Sequence, residues 1–210
     1  MANLKESADG RVKGITSSLN IELSFKEAAD AKGYNLITDI KMPIIIPAMD
    51  LATNEEVIFT NRKIKGERYI NDIEIAKAIR ASSTVPGIYS PFKYKNYQFI
   101  DGGVCDNLPV REVKKIGNVD KIIGIKFNIK SKKQINTMYN IVMQSVDLMT
   151  ETLIKEDVNI SDYILNIDLK SVHPFNIKKI DFCYEEGYKQ TMENMDGIKK
   201  ALETITEKGA

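Results

Sequence analysis

The strongest constraint on the fold of this chain is the stretch 97–110, where a short apolar run ends in an aspartate and two glycines. Residues 97–100 have the composition of a strand, and Asp101, Gly102 and Gly103 predict a tight turn directly after it. The following C-D-N-L-P-V predicts the start of a helix, because asparagine caps helices and proline is tolerated in a first turn. In open α/β sheets, functional residues gather at such strand ends. The Asp101 carboxylate is therefore the first candidate site residue.

Chain length and charge narrow the class of protein. The chain has 210 residues, which fits one domain or slightly more, and its apolar and charged fractions of 43% and 28% are ordinary for a folded protein. A formal net charge of +1 gives no electrostatic basis for binding nucleic acid or an anionic membrane surface. No apolar run approaches the roughly 20 residues that cross a bilayer, and the first residues lack a signal-peptide core. We therefore expect a cytoplasmic protein.

Cysteine and histidine usage argues against a metal centre. The two cysteines, Cys105 and Cys183, lie far apart and in no metal-ligand spacing, so free thiols are expected. His173 is the only histidine, which disfavours a histidine-based metal site and a Ser–His–Asp arrangement. The sequence therefore predicts no metal and no cofactor, and no catalytic role for His173.

Hydrophobic periodicity predicts alternating strands and helices. Strands are expected at 42–49, 56–60, 121–127 and 162–168, with a hairpin-like return between the first two. The nearly continuous apolar run at 42–49 is typical of a strand covered on both faces, as in parallel sheets. Helices are expected from Asn71, over 134–157 and over 182–206. Residues 1–35 are polar and weakly periodic, and they give no clear prediction.

Two motifs together resemble a known family. Residues 80–87 read R-A-S-S-T-V-P-G, and residues 101–110 read D-G-G-V-C-D-N-L-P-V. At this separation the pair resembles the C-terminal catalytic half of the patatin-like phospholipases, and residues 44–53 resemble that family's strand ending in T-D-L-x-T. The resemblance implies a three-layer α/β/α fold with a mainly parallel central sheet. It also divides the chain into a variable helical or loop region, 1–40, and the C-terminal part of a catalytic domain, 41–210.

The resemblance assigns roles to the turn. Asp101 would be the base of a Ser–Asp dyad, Gly102 and Gly103 would shape the turn that holds it, and the substrates would be acyl esters such as phospholipids. The residues 181–188, D-F-C-Y-E-E-G-Y, are similar to the segment that opens the last helix of patatin-like domains. Their role there is to close the fold.

The nucleophile that should accompany Asp101 is absent from the sequence. None of the 12 glycines has a serine two positions later, so the chain contains no G-x-S-x-G elbow. The nearest approach, G-I-T-S-S at 14–18, lacks the serine and the closing glycine. Gly102-Gly103 is the only glycine pair, so the glycine-rich oxyanion loop is missing too. We therefore expect a C-terminal fragment without its N-terminal part, inactive alone and self-associating through an exposed sheet edge. A full-length protein would also make peripheral contact with membranes.

Other interpretations of the same residues stay open. Asp106 and Asn107 are interpreted as structural, with Asn107 capping a helix that starts near Leu108. Ser82 and Ser83 have no glycine elbow, so packing and capping are expected of them.

Three functions remain. The leading hypothesis is an acyl hydrolase, and the others are a non-catalytic lipid- or partner-binding module and an acyl transferase.

Methionines at 138, 143 and 149 could line an acyl pocket, although their helical spacing favours core packing.

Overall fold

The structure is a computed structural model that describes residues 16–128, 138–169, 172 and 176–203. Within those ranges helices alternate with strands along most of the chain. The helices are α1 (Leu19–Asp30), α2 (Ile75–Ser82), α3 (Val110–Gly117), α4 (Met138–Leu153), α5 (Lys155–Ile160), α6 (Ile180–Glu193) and α7 (Met195–Glu203). The strands are β1 (Ile45–Asp50), β2 (Glu55–Thr60), β3 (Tyr69–Ile70), β4 (Phe92–Tyr94), β5 (Tyr97–Asp101), β6 (Ile123–Asn128) and β7 (Tyr163–Asp168).

The strands form two sheets, which confirms the predicted α/β class. The larger sheet has five strands in the order β3-β2-β1-β5-β4, and β6 pairs with β7 in the smaller one. Strand direction differs from the mainly parallel sheet that was expected. The pairings β1–β2, β1–β5 and β4–β5 are antiparallel, whereas β2–β3 and β6–β7 are parallel. Strand β1 is apolar because it lies in the middle of the five-stranded sheet, where a strand is covered whatever its direction.

A tight hairpin sets the register of the central strands. Residues 51–54 reverse the chain between β1 and β2, and Asn54 takes the left-handed conformation there with φ of 57°. The register runs from Asp50 opposite Glu55 to Ile45 opposite Thr60, which confirms the predicted hairpin-like return. On its other edge β1 pairs with β5. The strand that ends in Asp101 therefore lies against the centre of the sheet.

The main core lies between this sheet and α2. Phe59 of β2 and Phe99 of β5 are fully buried and meet edge to face, with ring centroids 5.1 Å apart. The buried positions of α2 are all small, which allows the helix backbone to approach β1 and β5 closely: Ala76, Ala78 and Ala81. This packing fixes the C-terminal end of α2 next to the end of β5.

The smaller sheet carries a second core on one of its strands. Leu165 and Ile167 of β7 are buried with Ile198 of α7. On β6, by contrast, Ile125 and Phe127 are 53% and 59% exposed. Helices α6 and α7 pack on β7, whereas these two side chains of β6 are more than half exposed.

Two helices that the sequence predicted as continuous are each divided. The pattern at 134–157 corresponds to α4 and α5, with the break at Ile154, and residues 182–206 correspond to α6 and α7, with the break at Asn194. The hydrophobic spacing continues across each break, so it does not reveal where the helix is interrupted. Among the described helices, none is both long and apolar enough to cross a membrane.

Candidate active site

The Asp101 carboxylate lies at the end of β5 beside the middle strand of the sheet. Asp101 is opposite Ala48 of β1, and its backbone N–H donates to the carbonyl oxygen of Thr84 at 2.9 Å. A single 3₁₀ turn, Gly102–Val104, follows, and its Gly103 N–H donates to Asp101 Oδ1 at 2.8 Å. Strand pairing on one side and the turn on the other therefore fix the position of this carboxylate.

The surroundings of Asp101 make it a better proton acceptor than an exposed aspartate. Burial raises the pKa of Asp101 above its ordinary value of 3.8, and the hydrogen bond from the Gly103 N–H opposes that rise only in part. Asp101 Oδ2 accepts no hydrogen bond from any residue that the structure describes. One carboxylate oxygen is thus held in place while the other remains available to take a proton.

Gly102 is required by the close approach of two backbone segments. A Cβ atom at Gly102 would lie 2.1 Å from the carbonyl oxygen of Pro47 and 2.6 Å from its carbon, both in β1. A Cβ at Gly103 would lie 3.0 Å from Asp101 Oδ1 and 3.1 Å from Asn107 Oδ1. Neither glycine has a positive φ, so the turn does not depend on the backbone conformations that only glycine adopts easily. The glycines instead let the turn pack against β1 and against its own carboxylate.

The two sequence motifs meet in space at Thr84. Its side chain is fully buried and donates from Oγ1 to the carbonyl oxygen of Arg80 at 2.7 Å, while its own carbonyl accepts the Asp101 N–H. Arg80 in turn donates to Ser18 Oγ at 2.9 Å and to Glu22 Oε2 at 2.6 Å, both at the start of α1. The R-A-S-S-T-V-P-G segment therefore connects α1 to the strand that carries Asp101.

No described serine is placed as a nucleophile for Asp101. The Asp101 side chain has its hydrogen bond from Gly103, and no serine hydroxyl within the described ranges bonds to it. Ser82 ends α2 and Ser83 is its C-cap residue, which agrees with the packing and capping expected of them. The structure thus brings the predicted base and its turn together without a hydroxyl partner. His173 lies outside the described residues.

Asp50 is the last residue of β1, and its carboxylate holds the turn that follows; sequence reasoning missed this role. It is fully buried and accepts hydrogen bonds from the backbone N–H groups of Ala52, Thr53 and Gln98, at 3.2, 3.2 and 2.7 Å. The Thr53 hydroxyl donates a fourth bond at 2.9 Å. Asp50 therefore ties the β1–β2 turn to the start of β5. The D-L-x-T order of residues 50–53 was the available signal, although an aspartate before a turn commonly bonds only to the turn itself.

The loop after the turn differs from its prediction. Helix α3 begins at Val110 with Pro109 as its N-cap, and no side chain caps it, so the predicted capping by Asn107 is wrong. The Asp106 carboxylate instead accepts the Leu108 N–H at 3.2 Å. Asp106 thus has the structural role that was expected, through a local turn rather than a helix cap.

Helix α4 packs against the turn, but its Met149 is not buried as predicted. Thr150 donates from Oγ1 to the Gly103 carbonyl oxygen at 3.3 Å. Met149 is 59% exposed, so the core-packing prediction is wrong for this residue, and the side chains of 138 and 143 lie outside the described set. Within the described residues no cluster of three His, Cys, Asp or Glu side chains has the arrangement of a metal site.

A protein-family model matches the part of the chain that contains Asp101. The family model for patatin-like phospholipase matches residues 34–114, a range that contains both motifs, Asp50 and Asp101. Residues 34–114 are therefore similar to patatin-like phospholipases. The matched segment includes the whole of the five-stranded sheet, and its last residues enter α3.

Two relatives of this chain are distant in sequence and longer than it is. The probable lipid hydrolase 463L of Invertebrate iridescent virus 6 is 28% identical over 173 residues, covering 79% of this chain and 52% of the viral protein. Patatin-like phospholipase domain-containing protein 4 of Homo sapiens is 26% identical over 174 residues, covering 77% of this chain and 64% of the human protein. The chain thus spans between about half and two thirds of these relatives.

A solved structure also matches part of this chain. VipD from Legionella pneumophila matches with a TM-score of 0.44 and 15% sequence identity, covering 74% of this chain and 31% of that protein.

Proposed function

We propose that this chain supplies the general base, Asp101, of a serine acyl hydrolase acting on lipid esters. The observation that carries the proposal is the state of the Asp101 carboxylate. It is partly buried, its Oδ1 is held by the Gly103 N–H at 2.8 Å, and its pKa is raised by burial. The match of residues 34–114 to the patatin-like phospholipase family model, and the probable lipid hydrolase among the relatives, support lipid esters as the substrate class.

The chemistry needs a serine that these 210 residues do not provide in a G-x-S-x-G elbow. A serine hydroxyl becomes a strong nucleophile when a base takes its proton as the oxygen attacks the ester carbonyl. Asp101 Oδ2 would accept that proton from within about 2.6–3.2 Å. The alcohol leaves with a proton returned by Asp101, an acyl-serine remains, and water then releases the acid by the same proton route. We propose that the serine lies in a segment of polypeptide beyond these residues.

A test uses the protein encoded by the entire reading frame that contains these residues. Hydrolysis of a fluorogenic phospholipid is compared for the unchanged protein, Asp101→Asn and the control Asp30→Asn, which alters an exposed carboxylate at the end of α1. Loss of a general base lowers the rate by about 10²- to 10⁴-fold. The proposal therefore requires a loss of at least about 100-fold for Asp101→Asn and near-normal activity for Asp30→Asn. Activity of Asp101→Asn within a few-fold of the unchanged protein would rule out Asp101 as the base.

The second candidate function is a non-catalytic binding module on the same fold. It is favoured by one observation: among the described residues, no serine hydroxyl bonds to Asp101. The DNA immediately upstream of the first codon separates the two candidates. An in-frame G-x-S-x-G supports the hydrolase, whereas a stop codon followed by a separate ribosome-binding site supports the binding module.

A further inference from the structure

Asp106 is a buried carboxylate in the loop that directly follows the candidate turn. It is 8% exposed, and within the described residues it has no ion-pair partner. Its Oδ1 accepts the Leu108 N–H at 3.2 Å, and its own N–H donates to the carbonyl oxygen of Gly102 at 2.9 Å. The N–H and the thiol of Cys105 donate to the same carbonyl, at 3.1 and 3.2 Å. The loop therefore holds the Gly102 carbonyl through three donors.

The cations near Asp106 are engaged by other carboxylates. Arg68 donates to Glu56 Oε2 at 3.0 Å and also binds Glu112. Arg111 donates to Asp157 Oδ2 at 3.2 Å and lies 3.5 Å from Glu156. Titratable and charged groups from several elements surround the loop. They are Glu56 of β2, Arg68 just before β3, Cys105 of the loop itself, Arg111 and Glu112 of α3, and Asp157 of α5. Asp106 thus adds a further carboxylate to a group in which four carboxylates already bind two guanidiniums.

This arrangement favours a proton on Asp106. Burial, and then repulsion from the Asp157 carboxylate, raise the pKa of Asp106 from 3.8 to about 6, while the Leu108 N–H and Arg111 act in the opposite sense. A difference of about two pH units corresponds to a proton affinity about 100-fold above that of an exposed aspartate. A raised pKa means that the folded loop gains stability as the pH falls from about 6 to 4, and that this contribution is absent above about pH 6.

We propose that Asp106 is a positioning residue whose protonation tightens the turn that carries Asp101. Protonation removes one negative charge from this carboxylate-rich group, which relieves the repulsion between Asp106 and Asp157. The Asp106 N–H transmits this to the Gly102 carbonyl, and Gly102 packs directly on Pro47. Its relevance to hydrolysis rests on the proposed function of Asp101, whereas proton binding at Asp106 does not.

Hydrogen exchange on the 210-residue chain tests the proposal without any activity. Exchange is measured for the peptide 101–108 in the unchanged chain, in Asp106→Asn and in the control Asp30→Asn, at about pH 5 and about pH 7.5, on either side of the raised pKa. At the higher pH we expect 101–108 to exchange several-fold faster, and at most about 100-fold faster, in the unchanged chain than in Asp106→Asn. At the lower pH the two should agree, and Asp30→Asn should match the unchanged chain at both values. Equal exchange at the higher pH, or an equal change in a peptide from α7, would overturn the proposal.

A titration of the unchanged chain keeps the proposal testable if Asp106→Asn does not fold. The carboxyl ¹³C shift of Asp106 should titrate with a midpoint of about 6. A midpoint at or below about pH 4 would show that the loop has no excess proton affinity. Neither measurement depends on Asp101 being a base, so failure of the proposed hydrolase function would leave both results interpretable.

Discussion

Replacing Gly102 with alanine tests the packing that places Asp101 against the sheet. The added Cβ would lie 2.1 Å from the carbonyl oxygen of Pro47, whereas ordinary contacts of this kind begin above about 3 Å. The obstacle is backbone on both sides, so relief requires β1 and the turn to separate by about 1 Å. Overpacking that shifts backbone costs about 1–3 kcal/mol and occasionally more. We expect a loss of about 3 kcal/mol for Gly102→Ala.

The matched control is Gly187→Ala, the same chemical change in the middle of α6. A Cβ at Gly187 would meet no atom within 4 Å. Alanine is favoured over glycine in helix interiors by about 0.5–1 kcal/mol, so this variant should be slightly more stable than the unchanged chain.

Urea unfolding followed by circular dichroism measures both variants. With a slope of about 2 kcal/mol per M, Gly102→Ala should lower the unfolding midpoint by about 1.5 M, and Gly187→Ala should raise it slightly. A Gly102→Ala midpoint within about 0.3 M of the unchanged chain would refute the close approach of Gly102 to Pro47.

Burial, charge and exposed surface lead to three further predictions. Asp50→Asn places an NH₂ group among four hydrogen-bond donors, so the free energy of unfolding should fall by about 3 kcal/mol. The control Asp39→Asn alters an exposed carboxylate and should lower it by less than about 1 kcal/mol. Equal losses for the two variants in thermal unfolding would contradict the role of Asp50. For the active full reading-frame product, kcat/KM should fall as the pH drops through the raised pKa of Asp101, so an acid midpoint at or below the ordinary 3.8 would argue against this base. The 210-residue chain should self-associate in sedimentation equilibrium, and Ile125→Lys with Phe127→Lys on β6 should reduce that association; a monomeric unchanged chain would contradict it.

The secondary structure followed from local patterns, whereas strand direction did not. Residues 51–54 carry turn signals between two apolar runs, and they form the predicted hairpin. The apolar run of β1 indicated burial on both faces. A strand in the middle of a sheet is buried in this way whether its neighbours run parallel or antiparallel to it, so the run does not reveal strand direction. Direction depends on which distant strand pairs with β1. Its second partner, β5, begins only at Tyr97, so no local pattern near β1 reveals that pairing.

The same limit applies to the candidate site. Asp101 and its two glycines were predicted from their order in the chain, because the D-G-G turn and the R-A-S-S-T-V-P-G segment occur together. The reason for Gly102 could not be predicted, since it lies in contact with Pro47 across the sheet. The proton affinity of Asp106 was hidden likewise, because it arises from burial and from carboxylates on other elements.

The decisive measurement is to find which serine, if any, reacts with a fluorophosphonate probe. The 210-residue chain and the product of its full reading frame are labelled, digested and analysed by mass spectrometry. We expect no labelled serine within the 210 residues, and one labelled serine in a preceding G-x-S-x-G of the longer product. We also expect Asp101→Asn to abolish that label. Specific labelling of a serine within the 210 residues, or a label that survives Asp101→Asn, would contradict the assignment of Asp101 as the base for a serine outside them.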